Sequence, residues 1–402
     1  MLVSKPRTWR PASLARIPLL PLVWFLLALS VFFASAVVTH LYSIALGFQG
    51  FFPIAASGDD RLYWGLSRTL AAGGAVAVMP SQYPAVLAFI YRLFTPDLFL
   101  GQIFSVLAGA ITVYTAVLLA GRMTGRSRFG ARDLRHPCNV TGTLLVFYPS
   151  LLLYSTQLLR DAYITLFGVI AVYAAYQLVG RFNAWYATAF LGALVVEYAL
   201  RPYAALGVAA GLGVGLVFTM SGTWRTKARV AAVLLTLAAI MPFAAGKGLF
   251  AMNYVLPLLN PATASHFRET AYSLGGSAIG IKIDYASPLG FVLTYGYSLI
   301  TLLIGPFVWQ IRSFGQIVAL PEAVVMAVLL FVICGRALRG RLRNRHAAIL
   351  VFPALALAMI MAVFADNIGT NTRLRILPWT LMVIVFATSA TSKSRDTLGD
   401  GA

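Results

Sequence analysis

The feature that most narrows the fold of this chain is a succession of apolar runs. Each is about as long as one helical bilayer crossing, which takes roughly 20 residues. Pro18–Leu46, Leu98–Ala120, Ala184–Leu200 and Ala347–Phe364 are examples. Period-2 alternation is absent, so helices are expected rather than a barrel. A chain of 402 residues that is 60% hydrophobic and only 11% charged is too apolar for a soluble domain. We read an all-α polytopic membrane protein, with about ten transmembrane helices and further interfacial helices in the first outer loop.

The 31 Lys and Arg against 12 Asp and Glu would suggest nucleic acid in a soluble chain. Here the excess reads as the positive-inside signal of cytoplasmic loops, and no nucleic-acid partner is expected. Lys5, Arg7, Arg10 and Arg16 precede an apolar run too long for a signal peptide. A retained first helix with a cytoplasmic N-terminus is therefore expected. Cys138 and Cys334 fall beside basic loops, so no disulfide is expected. The histidines are scattered without metal-binding spacing. Beyond a divalent ion that two adjacent carboxylates could bind, no metal or cofactor is expected.

Taken in order, the chain reads as one integral membrane domain, 1–402. After helix Pro18–Leu46, residues 47–97 form an outer loop. Within it Asp59–Ala72 can form an amphipathic helix. Tyr83–Phe94 is apolar but too short to cross, which suits a helix lying in the interface. Further crossings are expected at Leu98–Ala120, Val140–Leu158, Ala162–Val179, Ala184–Leu200, Tyr203–Met220 and Val230–Phe250. Residues 251–316 then hold an outer loop with His266, Arg268 and Glu269, and an apolar stretch, Leu289–Val308, broken by Gly305-Pro306. Only one of Leu289–Val308 and Ile317–Cys334 can cross if the arginine-rich loop 336–345 is cytoplasmic. We assign the crossing to Ile317–Cys334 and read Leu289–Val308 as re-entrant or interfacial. Residues 317–390 supply the last crossings, Ile317–Cys334, Ala347–Phe364 and Ile376–Thr388, and 391–402 a disordered tail. In this topology nine of the twelve acids cluster outside: Asp59, Asp60, Asp97, Asp161, Glu197, Glu269, Asp284, Glu322 and Asp366.

Four polar stretches stand out against this background. Asp59-Asp60 reads as a general base with its partner, or as the start of an amphipathic helix. Arg160-Asp161 reads as a phosphate-binding arginine beside a carboxylate, or as a tight turn capped by Asp161. Glu197 and Arg201 have the order and spacing of an i,i+4 ion pair, although Arg201-Pro202 could present a guanidinium to a cavity. In Asp366–Arg375, Gly369 with Asn and Thr groups supplies a turn, and Arg373 and Arg375 open the last helix. Free N–H groups there also favour an anion. Cations on the outer side run against the topology rule, and phosphate binding would explain them.

These residues together resemble the GT-C class of membrane glycosyltransferases. Relatives in that class include the lipid A aminoarabinose transferases and the protein O-mannosyltransferases. The resemblance rests on Asp59-Asp60, Tyr63 and Tyr83-Pro84 in the first outer loop, on Ser155–Asp161, and on Leu200-Arg201-Pro202. It covers mainly residues 15–205, within a GT-C-like core of 1–250. The stretch from Asn367 to Arg375 is similar to bacterial relatives in polysaccharide loci. The class often has Asp-Glu where this chain has Asp-Asp.

The resemblance implies a sugar donor carried on polyprenyl phosphate and used at the outer face of a bacterial plasma membrane, with both termini cytoplasmic. The acceptor would be a hydroxyl of a glycan, lipid or protein, in cell-envelope glycan synthesis. Asp59 would serve as base with Asp60 as its partner. Arg160, Arg201, Arg373 and Arg375 would hold the phosphate, Asp161 would orient an arginine or the acceptor, and Tyr63 and Tyr83 would line the site. A polymerase or ligase using polyprenyl diphosphate donors, or a flippase of lipid-linked sugar, is the alternative.

Overall fold

The computed structural model describes residues 19–51, 58–124, 136–180, 182–219, 260–272, 277–312, 314–339 and 345–390. The expected helix Val230–Phe250 and the tail 391–402 lie outside the described residues. The helices are α1 (Leu19–Ala45), α2 (Asp59–Ala71), α3 (Tyr83–Leu93), α4 (Leu98–Thr124), α5 (Pro137–Val146), α6 (Pro149–Ser155), α7 (Asp161–Gly180), α8 (Ala184–Leu200) and α9 (Pro202–Thr219). After the gap come α10 (Pro261–Tyr272), α11 (Pro288–Ile304), α12 (Leu320–Leu338), α13 (Ala348–Ala362), α14 (Ile368–Leu374) and α15 (Ile376–Ala390). Among the described residues there is no strand, only an isolated bridge between Ala278 and Asn367. Five of these helices, α1, α4, α7, α9 and α12, are long and apolar enough to cross a bilayer. The fold is that of a helical membrane-embedded protein.

The sequence predicts one helix over Val140–Leu158, and the structure shows two. Helices α5 and α6 meet at an angle of 58°. The cause is Pro149, whose ring pushes the preceding residue out of the helical region. Tyr148 is accordingly extended, at φ −70° and ψ 109°.

Helix α15 forms the centre of the bundle. It packs against α4, α5, α7, α12 and α13. Its side chains are buried nearly all round, from Ile376, Leu377 and Trp379 to Val385 and Ala387. Apolar residues on every face of this helix suit that central position.

Helices α9 and α13 pack closely, and the contact is built on glycine. Gly207, Gly211 and Gly215 recur every fourth residue on one face of α9. A Cβ at Gly211 would lie 2.6 Å from Phe352 O, and one at Gly215 would lie 2.6 Å from Ala348 O. Small residues at this spacing let two membrane helices pack backbone to backbone. Gly211→Ala is expected to cost about 1–3 kcal/mol through overpacking. Gly213→Ala, whose Cβ meets nothing within 4 Å, should leave stability intact. Thermal unfolding of the two variants in detergent measures the contrast.

The long helices run between two ends of the bundle. At one end Tyr176 Oη donates to Arg122 O at 3.1 Å, and Arg336 Nη1 donates to Phe386 O at 3.0 Å and to Ser389 Oγ at 2.8 Å. That end collects the C-termini of α4, α7, α12 and α15. The opposite end collects the start of α7, the α8–α9 junction and the segment from α13 through α14 to α15. Helix α11 lies across this second end. Tyr295 Oη donates to Met359 O at 2.6 Å, Ser298 Oγ to Ala362 O at 2.8 Å, and Trp379 Nε1 to Leu303 O at 2.8 Å. Those partners all fall within about one turn of the upper ends of α13 and α15, while α11 advances about 1.5 Å per residue.

The segment before α11 is fastened to the same end. Arg268 of α10 donates to Ala362 O and Val363 O at the end of α13, at 3.1 and 3.0 Å. Ile368 N donates to Ser277 O at 3.1 Å, and Ile279 N to Asp366 O at 2.9 Å. These bonds fix the strand-like stretch that leads into α14.

Candidate active site

Four separate segments deliver charge to the second end of the bundle. The first is α2. Gly58 enters it with φ +61°, a left-handed conformation that glycine adopts without strain. Asp59 and Asp60 then occupy the first turn, where the exposed N–H groups favour negative charge. Neither aspartate acts as a cap, since Gly58 holds that position with no side-chain bond. Asp60 is buried, and its Oδ1 accepts from Arg61 N at 2.8 Å.

The second segment is the turn from α6 into α7, which presents Arg160 and Asp161. The third is the α8–α9 junction. Pro202 forces Arg201 into an extended conformation, φ −154° and ψ 93°, which turns its side chain away from α8. The fourth is α14, capped by Asn367, whose Oδ1 accepts from Thr370 N at 3.1 Å. Arg373 lies in the last turn of this helix.

These groups meet in one chain of ion pairs. Asp161 Oδ2 accepts from Arg373 Nε at 3.1 Å and from Nη2 at 2.9 Å. Asp161 Oδ1 lies 3.0 Å from Arg201 Nη2. Arg373 Nη1 then reaches Asp59 Oδ2 at 2.8 Å, joining residues 314 apart in the sequence. Exposure rises along the chain, from 2% at Asp161 and 5% at Arg201 to 12% at Arg373 and 37% at Asp59. Burial works against the charge on Arg373, but Asp161 and Asp59 outweigh it and raise its pKa further above the guanidinium value. Arg373 thus remains a cation throughout the physiological range.

Arg160 stands beside this chain without an ion pair among the described residues. Its Nη1 donates to Leu200 O at 3.0 Å, and its Nε is buried without a hydrogen-bond partner. Its guanidinium sits 6.0 Å above the Tyr63 ring. Burial raises the pKa of Tyr63, with Arg160 opposing and Asp59 and Asp161 reinforcing the shift. Tyr63 packs edge-on to Tyr83 with ring centroids 5.2 Å apart, and Tyr83 is fully buried behind it. The two tyrosines form the wall of the cluster.

Several expectations change here. The i,i+4 spacing predicts a Glu197–Arg201 ion pair, but only their backbones bond, Arg201 N to Glu197 O at 2.7 Å. The guanidinium has turned to Asp161, and both carboxylate oxygens of Glu197 are buried without a hydrogen-bond partner. Of the two arginines expected to open the last helix, Arg373 instead lies in the last turn of α14, while Arg375 joins the two helices: its N donates to Asn371 O at 3.1 Å and its O accepts from Trp379 N, in the first turn of α15, at 2.9 Å. Arg375 also lies apart from the other three arginines. It is fully buried, with Nε and Nη2 on Glu322 Oε1 at 2.9 and 2.6 Å and Nη1 donating to Gly305 O. Ser150 completes this second network through Oγ and N, at 2.7 and 2.9 Å from Glu322 Oε2. It ties α6, α11, α12 and the start of α15 together.

Tyr154 and Thr372 are neighbours that sequence reasoning missed. Their hydroxyls lie 2.8 Å apart beside Arg373. Nothing in the local sequence marks either one. A cleft of about 510 Å³ lies on another face of α2, lined by Trp64, Arg68, Thr69 and Tyr91, and none of the converging groups borders it. The cluster itself is closed by its own ion pairs. Among the described residues no group of three or more His, Cys, Asp or Glu could hold a metal ion.

Fold and site together define a helical membrane-embedded protein with a buried arginine–carboxylate cluster at one end of its bundle. No protein-family model, no curated protein and no solved structure matches the chain.

Proposed function

We propose that the chain is an inverting glycosyltransferase that moves a sugar from a polyprenyl-phosphate donor to a hydroxyl acceptor. The observation that carries this reading is the convergence of Asp59, Arg160, Asp161, Arg201 and Arg373 at one end of an apolar bundle. Asp59, the most exposed acid of the pair chain, takes the proton of the acceptor hydroxyl. The acceptor oxygen bonds to the anomeric carbon as the bond from that carbon to the phosphate oxygen breaks. The leaving polyprenyl phosphate is already a good anion, so it needs positive charge around it rather than a proton donor. Arg160 offers a guanidinium with no ion pair among the described residues, and Arg373 a second guanidinium, held by Asp161 and Asp59. Asp161 holds Arg373 and Arg201 in place from below. Tyr63 and Tyr83 support this arrangement from the side, and Asp60 backs Asp59. Arg375, committed to Glu322, has no part in it.

The membrane setting belongs to the same proposal. About ten crossings, counting the shorter apolar helices and the expected one at Val230–Phe250, place both termini in the cytoplasm. The end with Arg122 and Arg336 then faces inward, as the positive-inside rule requires, and the cluster faces outward. Helix α11 and the α2–α3 pair lie near the outer interface, where α3 exposes Val86, Phe89 and Leu93.

Reconstituted protein given a polyprenyl-phosphate sugar and, separately, a diphosphate donor tests the reading; no covalent product with either sinks it. Arg160→Gln is expected to raise the KM for the donor about 10–100-fold, the loss of a charged hydrogen bond to phosphate. Its thermal midpoint should fall only modestly, because the bond to Leu200 O is lost but no described ion pair is broken.

A further inference from the structure

We infer that Arg373 masks Asp59 in the resting protein and that a lipid-borne phosphate unmasks it, so that donor binding arms the base. The inference rests on the transferase reading above. Three bonds of Arg373 are described, and they are unequal. Two go to Asp161, which is 98% buried and also held by Arg201. The third, from Nη1, goes to Asp59 Oδ2 at 2.8 Å, on a carboxylate that is 37% exposed. Only this third bond lies where water already competes, and exposed ion pairs are weak. While it lasts, a guanidinium proton occupies one lone pair of Oδ2 and competes with an acceptor hydroxyl for that oxygen.

A phosphate approaching the cluster meets Arg160 first in electrostatic terms. Among the described residues that guanidinium has no ion-pair partner, and its buried Nε lacks a hydrogen-bond partner. An anion seated between Arg160 and Arg373 competes with Asp59 for Nη1 through charge-assisted bonds. It also repels Asp59 directly. The Asp161 bonds keep Arg373 from following its former partner. Gly58, directly before Asp59, has a left-handed φ and no atom within 4 Å of where a Cβ would sit. The Asp59 side chain is itself 37% exposed, which leaves it room to turn. Acceptor activation then follows donor binding, and a bare enzyme does not present a working base to water.

Carbodiimide coupling of Asp59, resolved by mass spectrometry, reads the mask directly in protein held in phosphatidylcholine nanodiscs. Added polyprenyl monophosphate should raise coupling about fivefold, as expected for release of an exposed ion pair. The uncharged polyprenol should leave it unchanged. Arg373→Gln should couple at the high level without any lipid, and the wild-type comparison stands alone if that variant fails to fold. Polyprenyl phosphate that binds by an independent radiolabel assay, yet leaves Asp59 coupling flat or lowered, overturns the masking while the donor reading survives. Equal unmasking by polyprenol overturns it too. No binding of the phosphate lipid removes the donor reading and the inference with it.

Discussion

Asp59→Asn is expected to slow sugar transfer by about 10²–10⁴-fold, the usual contribution of a positioned general base. The amide keeps the shape of the side chain and can still accept a bond from Arg373 Nη1 through its oxygen. Asp59 is the half-exposed end of the ion-pair chain, and Asp161 continues to hold Arg373 from the buried side. The variant should therefore express, insert and unfold near the wild-type temperature. Radiolabelled donor should still bind, with the loss falling on kcat. Full turnover in this variant would remove Asp59 from the proposed chemistry.

Arg375→Met is expected to act on stability instead, with a loss of about 3–5 kcal/mol. Its guanidinium is the sole cation described on Glu322, and removing it leaves a buried carboxylate held only by Ser150. Adding Glu322→Gln should recover at least half of the loss, because the unpaired charge disappears while the amide oxygen still accepts from Ser150. Thermal unfolding of both single variants and the double variant gives the coupling. Transfer per folded molecule should be near normal in the double variant. This pattern separates Arg375 from Arg160, whose loss is expected in donor binding.

The two arginines show where sequence reading succeeds and where it stops. Local signals were enough for many elements. Helix α8 begins and ends where expected because Asn183 caps it, its side chain accepting from Trp185 N at 2.9 Å, and because Arg201-Pro202 stops it. Helices α2 and α3 were legible for similar reasons, from the acidic start of one and the Tyr83-Pro84 start of the other. The gathering of Asp59, Arg160, Asp161, Arg201 and Arg373 was also anticipated, since charges at helix ends of one polarity share one end of a bundle.

Pairing was not legible. Spacing along a helix favoured Glu197 for Arg201, but the proline after Arg201 turned the side chain toward another segment. Arg375 lies two residues from Arg373, so the two looked equivalent. About 100° of helical rotation per residue sends them to different neighbours. The break at Pro149 could have been read from the proline alone, yet the apolar run around it suggested continuity. The every-fourth glycine face of α9 was likewise present in the sequence. Its meaning depended on the backbone of α13 lying against it.

The central position of α15 has a consequence for how the molecule is made. Every other described helix leaves the ribosome before it, so the earlier ones wait in the lipid around a space that only this latecomer fills. Arg373 arrives just ahead of it on α14, and with it the link between Asp59 and Asp161. A nascent chain halted short of residue 366 thus lacks both its innermost helix and the cation that unites its acids. Within the described bundle, the central helix and the cation that bridges Asp59 and Asp161 therefore arrive together.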